Sequence, residues 1–117
     1  MATGSTGKVV MALVALCCMM FVAQAAKYHV DWVMNMRGWG NGRSFAAGDV
    51  LVFDYAAGAH NVVVVDQTGY NTCTPSAGAP TYTSGHDRIT LHRGTNLFIC
   101  SFPGHCNGGM KIAVTAH

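Results

Sequence analysis

The sequence contains no glutamate, and five aspartates are its only acidic side chains, so that charged residues make up 10% of its 117 positions. A soluble domain usually carries about a quarter. Basic residues are also sparse and scattered, with no run of lysine or arginine and no interleaved aromatics, which excludes a nucleic-acid-binding surface. No heptad and no internal repeat is visible, so coiled coils and solenoids are excluded. No long amphipathic helical pattern is present either. There is no Asn-x-Ser/Thr acceptor, and N-glycosylation is not expected. With 117 residues, the chain has room for one small domain and not for two.

The apolar content is concentrated at the N-terminus. Lys8 precedes an apolar run of 15 residues from Val9 to Ala23, followed by Ala23-Gln24-Ala25. A membrane-spanning helix needs roughly 20 apolar residues, and this run is shorter. A basic start, a short apolar stretch and an A-x-A site read as a secretory signal peptide over residues 1–26, with cleavage near Ala25 or Ala26. The remaining domain, residues 27–117, keeps six basic side chains against five aspartates, a net charge of about +1.

Three cysteines survive in that domain: Cys73, Cys100 and Cys106. Secreted proteins keep disulfides, so an odd count is informative. One pair can form a bridge, which leaves one thiol for another task.

Short period-2 apolar segments recur along the domain, separated by turn residues. They are Val50–Tyr55, the β-branched run Val62–Val65, Ile89–His92, Leu97–Cys100 and Lys111–Thr115. Val62–Val65 has the composition of a strand buried on both faces. Gln67–Arg88, with Pro75, Pro80 and several glycines, reads mostly as loop with room for one short helical turn. This pattern predicts an all-β domain, a small antiparallel Greek-key sandwich or barrel with little helix. At about 90 residues a core alone is marginal, and a disulfide or a metal is the usual staple.

The chemistry lies near the C-terminus. Cys100-Ser-Phe-Pro-Gly-His105-Cys106-Asn-Gly-Gly-Met110 has the spacing Cys-x4-His-x4-Met between two strand-like segments. One tight loop can therefore deliver a thiolate, an imidazole and a thioether to a single ion. His60, at the end of a turn just before the valine run, adds a second imidazole. Thiolate, two imidazoles and thioether are the ligand set of a blue-copper site. Taken singly, each residue has a plainer reading: a small buried hydrophobe, a structural histidine, a core methionine. The joint spacing favours ligation. A cysteine protease would bring its Cys and His from distant segments with a third orienting group, and a thioether suits zinc poorly. His29, His86, His92 and His117 read as non-ligands, and Trp32, Trp39, Phe45 and Phe53 read as core.

Phe98-Ile99-Cys100-Ser101-Phe102-Pro103-Gly104-His105-Cys106 and Gly109-Met110-Lys111-Ile112-Ala113-Val114 resemble the phytocyanins of plants, and within them most nearly the plantacyanins or basic blue proteins. The likeness extends to Ala47–Phe53, Gly58–Val63 and Tyr82–Asp87, and covers most of residues 39–117. It implies a plastocyanin-like, cupredoxin fold binding one copper ion, with His60, Cys100, His105 and Met110 at the ligand positions. It also implies a Cys73–Cys106 disulfide. Related stellacyanins carry glutamine at the position of Met110. One departure stands out: Tyr28-His29-Val30-Asp31 runs straight into Trp32, about four residues shorter than the family's glycine-containing turn. The register of the first strand is therefore open.

The expectation from these readings is a secreted, monomeric blue copper protein of the apoplast or cell wall, without enzymatic activity and without a membrane anchor. It would pass single electrons to a redox partner across a surface formed by Ala59, Phe102, Pro103 and Gly104 around His105. The competing expectation is a non-redox extracellular signalling or wall-associated binding module on the same fold.

Overall fold

The computed structural model describes residues 24–117, so the leader expected over residues 1–26 lies outside the described residues except for its last three. No helix among the described residues is long and apolar enough to cross a membrane. Among the described residues, seven strands and one short helix follow in order: β1 (Lys27–Asp31), β2 (Val50–Asp54), β3 (Val62–Val65), α1 (Gln67–Thr72), β4 (Thr81–Tyr82), β5 (His86–Thr90), β6 (Gly94–Ile99) and β7 (Lys111–Ala116). They form two sheets, one ordered β1-β2-β5 and the other β4-β3-β6-β7. Neighbours β3 and β6 are not consecutive in the chain, as a Greek-key path requires.

Alternation drives the packing. In β5 only Asp87 and Ile89 are buried, and in β7 Ile112, Val114 and Ala116 are. Val30, Leu51, Phe53 and Ile89 of the first sheet meet Val62, Phe98, Ile112 and Val114 of the second in one core, which Trp32 and Phe45 also enter. Each large apolar side chain buried there contributes roughly 1.5–3 kcal/mol. Trp32 sets its ring edge-on to Phe53, with centroids 5.1 Å apart. Trp39, expected in the core, is only half-buried and stacks on Phe45.

Several expectations change in detail. Not all pairing is antiparallel: β1 runs parallel to β2, in the register Lys27↔Val50 through Asp31↔Asp54. Alternation along a strand carries no information about direction, and the long connection 32–49 returns the chain to the end where β1 began. That register also settles the shortened first segment. β1 passes directly into Trp32, whose N–H donates to Asp54 O at 2.9 Å. Val64 and Val65 are half-buried rather than covered on both faces. The stretch 67–88, expected mostly as loop with room for one short helical turn, has that turn as α1 and also contains the two-residue β4 and the start of β5. Asp66 caps α1 by accepting from the Gly69 N–H at 2.7 Å, and Cys73 ends it in the left-handed conformation, φ 55°.

The sheet order places the site. Because β3 pairs with β6 through Val63↔Ile99, the loop entering β3 and the loop leaving β6 meet at one end of the sandwich.

Candidate metal centre

Three side chains converge at that end. One donor atom from each of His60, Cys100 and His105 lies within 4.8 Å of the others, and no other such trio of His, Cys, Asp or Glu occurs among the described residues. His60 Nδ1 and His105 Nδ1 are 3.1 Å apart, and Cys100 Sγ is 3.5 Å from His105 Nδ1. Donors sharing one ion at bond lengths of about 2.0–2.3 Å must lie within roughly 4.4 Å of one another. Both separations fall inside that span, so the donor set fits a single soft or borderline metal ion.

Each donor is held by backbone geometry. Cys100 follows β6 directly and is fully buried; it is the one free cysteine among the described residues. Its N–H donates to Met110 O at 3.0 Å, while the Met110 N–H donates to His105 O at 3.0 Å. Met110 is thereby fastened to the other two loop residues. It is fully buried in the same core cluster as Cys100. Within the loop, His105 N–H donates to Phe102 O and Gly109 N–H to Cys106 O, at 3.0 and 2.9 Å. Gly109 sits at φ 97°, and a Cβ there would come within 3.0 Å of the Asn35 backbone. Only glycine meets both demands.

Asn61 joins the two loops. Its Nδ2 donates to Ser101 Oγ at 2.8 Å and its Oδ1 accepts the Ser101 N–H at 2.8 Å. The Asn61 carbonyl in turn accepts the Trp32 Nε1–H at 2.9 Å. A second brace is the disulfide between Cys73 and Cys106, with Cα atoms 5.7 Å apart. It fastens the residue after His105 to the end of α1. A third is the segment after Trp32: Met36 N–H donates to Gly109 O at 2.8 Å and Arg37 to Asn107 O at 3.1 Å.

The electrostatics suit ligation. Burial, and then repulsion from His105, hold the His60 imidazole below its ordinary value. At neutral pH its Nδ1 is therefore available as a neutral donor, the form a metal requires. The Tyr55 ring stands at a steep angle to the His60 ring, centroids 6.4 Å apart. Its hydroxyl donates to the buried Asp87 carboxylate and contacts Tyr82 O. Burial first, and the bond to Asp87 second, push the Tyr55 phenol up to about 12. Asp87 also accepts the Ser84 N–H and hydroxyl. Sequence reading missed Asn61, Tyr55 and Asp87. An asparagine at the head of a valine run, and an aspartate alternating inward with Ile89, were signals available to it.

The other histidines lie elsewhere. His29 and His86 both engage the Asp54 carboxylate on the outer face of the first sheet, and these two bonds hold Asp54 below its ordinary range. His92 and His117 are exposed. Around the trio, His60 and His105 are half-buried, as is Phe102, while Ala59, Pro103 and Gly104 are exposed.

Known proteins are similar to this chain in sequence and in fold. Residues 28–110 match the family model of the plastocyanin-like domain. A chemocyanin of Lilium longiflorum is 56% identical over 99 residues, 81% of this chain and 79% of that protein. A basic blue protein of Arabidopsis thaliana is 57% identical over 97 residues, 80% and 75% of the two chains. The solved structure of the cucumber basic protein, a blue copper protein, superposes with a TM-score of 0.77 at 52% identity, covering 79% of this chain and all of that one.

Proposed function

The chain belongs to the plastocyanin-like, phytocyanin family of blue copper proteins, and on that premise we propose that it is a secreted, monomeric carrier of single electrons, with one copper ion held by His60, Cys100, His105 and Met110. The observation that carries this reading is the convergence of two imidazole Nδ1 atoms and one buried free thiol at 3.1 and 3.5 Å. Copper bound there supplies a Cu(II)/Cu(I) couple. Cys100 provides the soft thiolate and Met110 the weaker thioether. The paired braces, Asn61 to Ser101 and Cys73 to Cys106, hold the donors in place as charge changes, which is what fast one-electron exchange requires. The secretory leader of residues 1–26 accounts for the disulfide by placing the domain in an oxidising compartment.

Cys100 is buried and His105 reaches the surface, so electrons enter and leave at the His105 edge, among Ala59, Phe102, Pro103 and Gly104. The test is the visible spectrum and redox behaviour of the copper-loaded protein. Intense thiolate charge-transfer colour is expected, and Cys100→Ser should abolish it while the fold persists. A bulky or charged residue at Ala59 or Pro103 should slow exchange with a small redox complex and leave the spectrum nearly constant. Unchanged rates, or a colourless copper-loaded protein, would instead favour a non-redox binding module.

A further inference from the structure

Among the described residues only two large hydrophobic side chains are exposed, and they are adjacent: Val33 at 52% and Met34 at 43%. They sit on the segment that braces the ligand loop. Met34 Cε lies over Gly108, where an added Cβ would come within 2.4 Å of it. Three residues on, the Arg37 guanidinium donates to Asn107 O at 3.1 Å. The Gly108 N–H in turn donates to Gly104 O at 3.0 Å, so Met34 packs on the same turn of the ligand loop that carries Gly104.

The border of this surface is positive. Arg37 and Lys111 are near enough that the Arg37 charge, after burial, disfavours the Lys111 ammonium. Lys111 Nζ donates to Tyr70 O at 2.9 Å and stands over the Tyr70 ring. Neither cation has a carboxylate within 4.0 Å among the described residues; the ion pairs there are those of His29 and His86 with Asp54. Two adjacent exposed apolar side chains beside an arginine with no carboxylate partner suit a partner surface that is apolar and bordered by negative charge.

We infer that Val33, Met34 and Arg37 extend the electron port into a docking surface for a redox protein whose exposed cofactor edge lies in an apolar area bordered by carboxylates. The inference rests on the electron-carrier reading and adds the partner's chemistry to it. The haem edge of cytochrome c, ringed by lysines, offers a matched pair of probes. Native cytochrome c presents a positive border, and succinylated cytochrome c presents carboxylates around the same edge. In each reaction the haem iron loses one electron as Fe(II) becomes Fe(III), and the Cu(II) centre takes it.

At low ionic strength the succinylated protein should react at least ten-fold faster than the native one, and the gap should shrink to under about three-fold in high salt. Arg37→Gln should slow the succinylated reaction at least three-fold. Arg93→Gln removes the same charge at the far end of β6 and should slow it much less. Met34→Gln should slow it without altering the spectrum. Independently of any electron transfer, the Met34 methyl resonance of the reduced, Cu(I)-loaded protein should shift on adding succinylated ferrocytochrome c, since both partners are then reduced and no electron can pass. Equal rates for the two probes, equal effects of Arg37→Gln and Arg93→Gln, or an undisturbed Met34 methyl would overturn the inference. A copper-loaded protein that is colourless and exchanges no electrons with a small complex would overturn the carrier reading, while the methyl shift would still decide the docking surface.

Discussion

Asn61 grips Ser101 twice, donating from Nδ2 to its hydroxyl and accepting its backbone N–H at Oδ1, each at 2.8 Å. These residues adjoin His60 and Cys100, so the pair fixes the spacing of two donors that come from different loops. Both Asn61 polar atoms are used at a site where Asn61 itself is buried. Asn61→Ala leaves the Ser101 N–H without its partner and should cost about 1–3 kcal/mol. Denaturant unfolding of the metal-free protein measures that cost. A midpoint equal to the parent's would mean that the two bonds add nothing.

The disulfide and the free thiol make a paired prediction. Cys73 and Cys106 are bridged and Cys100 is free, so thiol counting on the unfolded, metal-free, unreduced domain of residues 27–117, which lacks Cys17 and Cys18, should give one thiol. Three would exclude the bridge. With a sequence separation of 33, the closed loop contributes about 3–4 kcal/mol by chain entropy. Cys73→Ser should lower stability by that order, and copper should bind more weakly because Cys106 directly follows His105.

Met110 is fully buried between Cys100 and His105, bonded through its backbone to both. A weak thioether favours Cu(I), whereas a harder amide oxygen favours Cu(II). Met110→Gln should therefore lower the reduction potential while the protein stays blue. An unchanged potential in voltammetry would make Met110 a packing residue rather than a ligand.

The loop that brings Cys100 and His105 to His60 was legible because its meaning lies in local spacing: Cys100, His105 and Met110 fall within eleven residues of one chain between two alternating strands. His60 was reachable because a histidine ends a turn just before a valine run. What escaped was long-range. Alternation cannot tell that β1 runs parallel to β2, since period 2 is the same in both directions. It also cannot tell that Asn61 faces Ser101, because that contact follows from β3 pairing with β6. The short β4 was hidden by Pro80 and nearby glycines, which dominate the local signal. The Tyr55–Asp87 contact joins the loop after β2 to β5, and no sequence window contains both.

The last prediction concerns that contact. The Tyr55 hydroxyl donates to the buried Asp87 carboxylate, and burial with this bond raises the phenol from 10.0 to about 12. A group whose folded pKa lies above its unfolded value contributes stability that is fully present below the unfolded pKa. That stability is lost as pH rises through the folded value. The window here runs from pH 10 to about 12. A phenolate absorbance step at 295 nm should therefore appear near pH 12 and be missing in Tyr55→Phe. At pH 8 the variant should be less stable by about 1–2 kcal/mol, because Asp87 loses a donor while remaining buried. Between pH 8 and pH 11 the parent should lose more stability than Tyr55→Phe. Equal losses over that interval would mean that Tyr55 ionises as an ordinary tyrosine. Its bond to Asp87 would then play no part in holding the Tyr55 ring against His60.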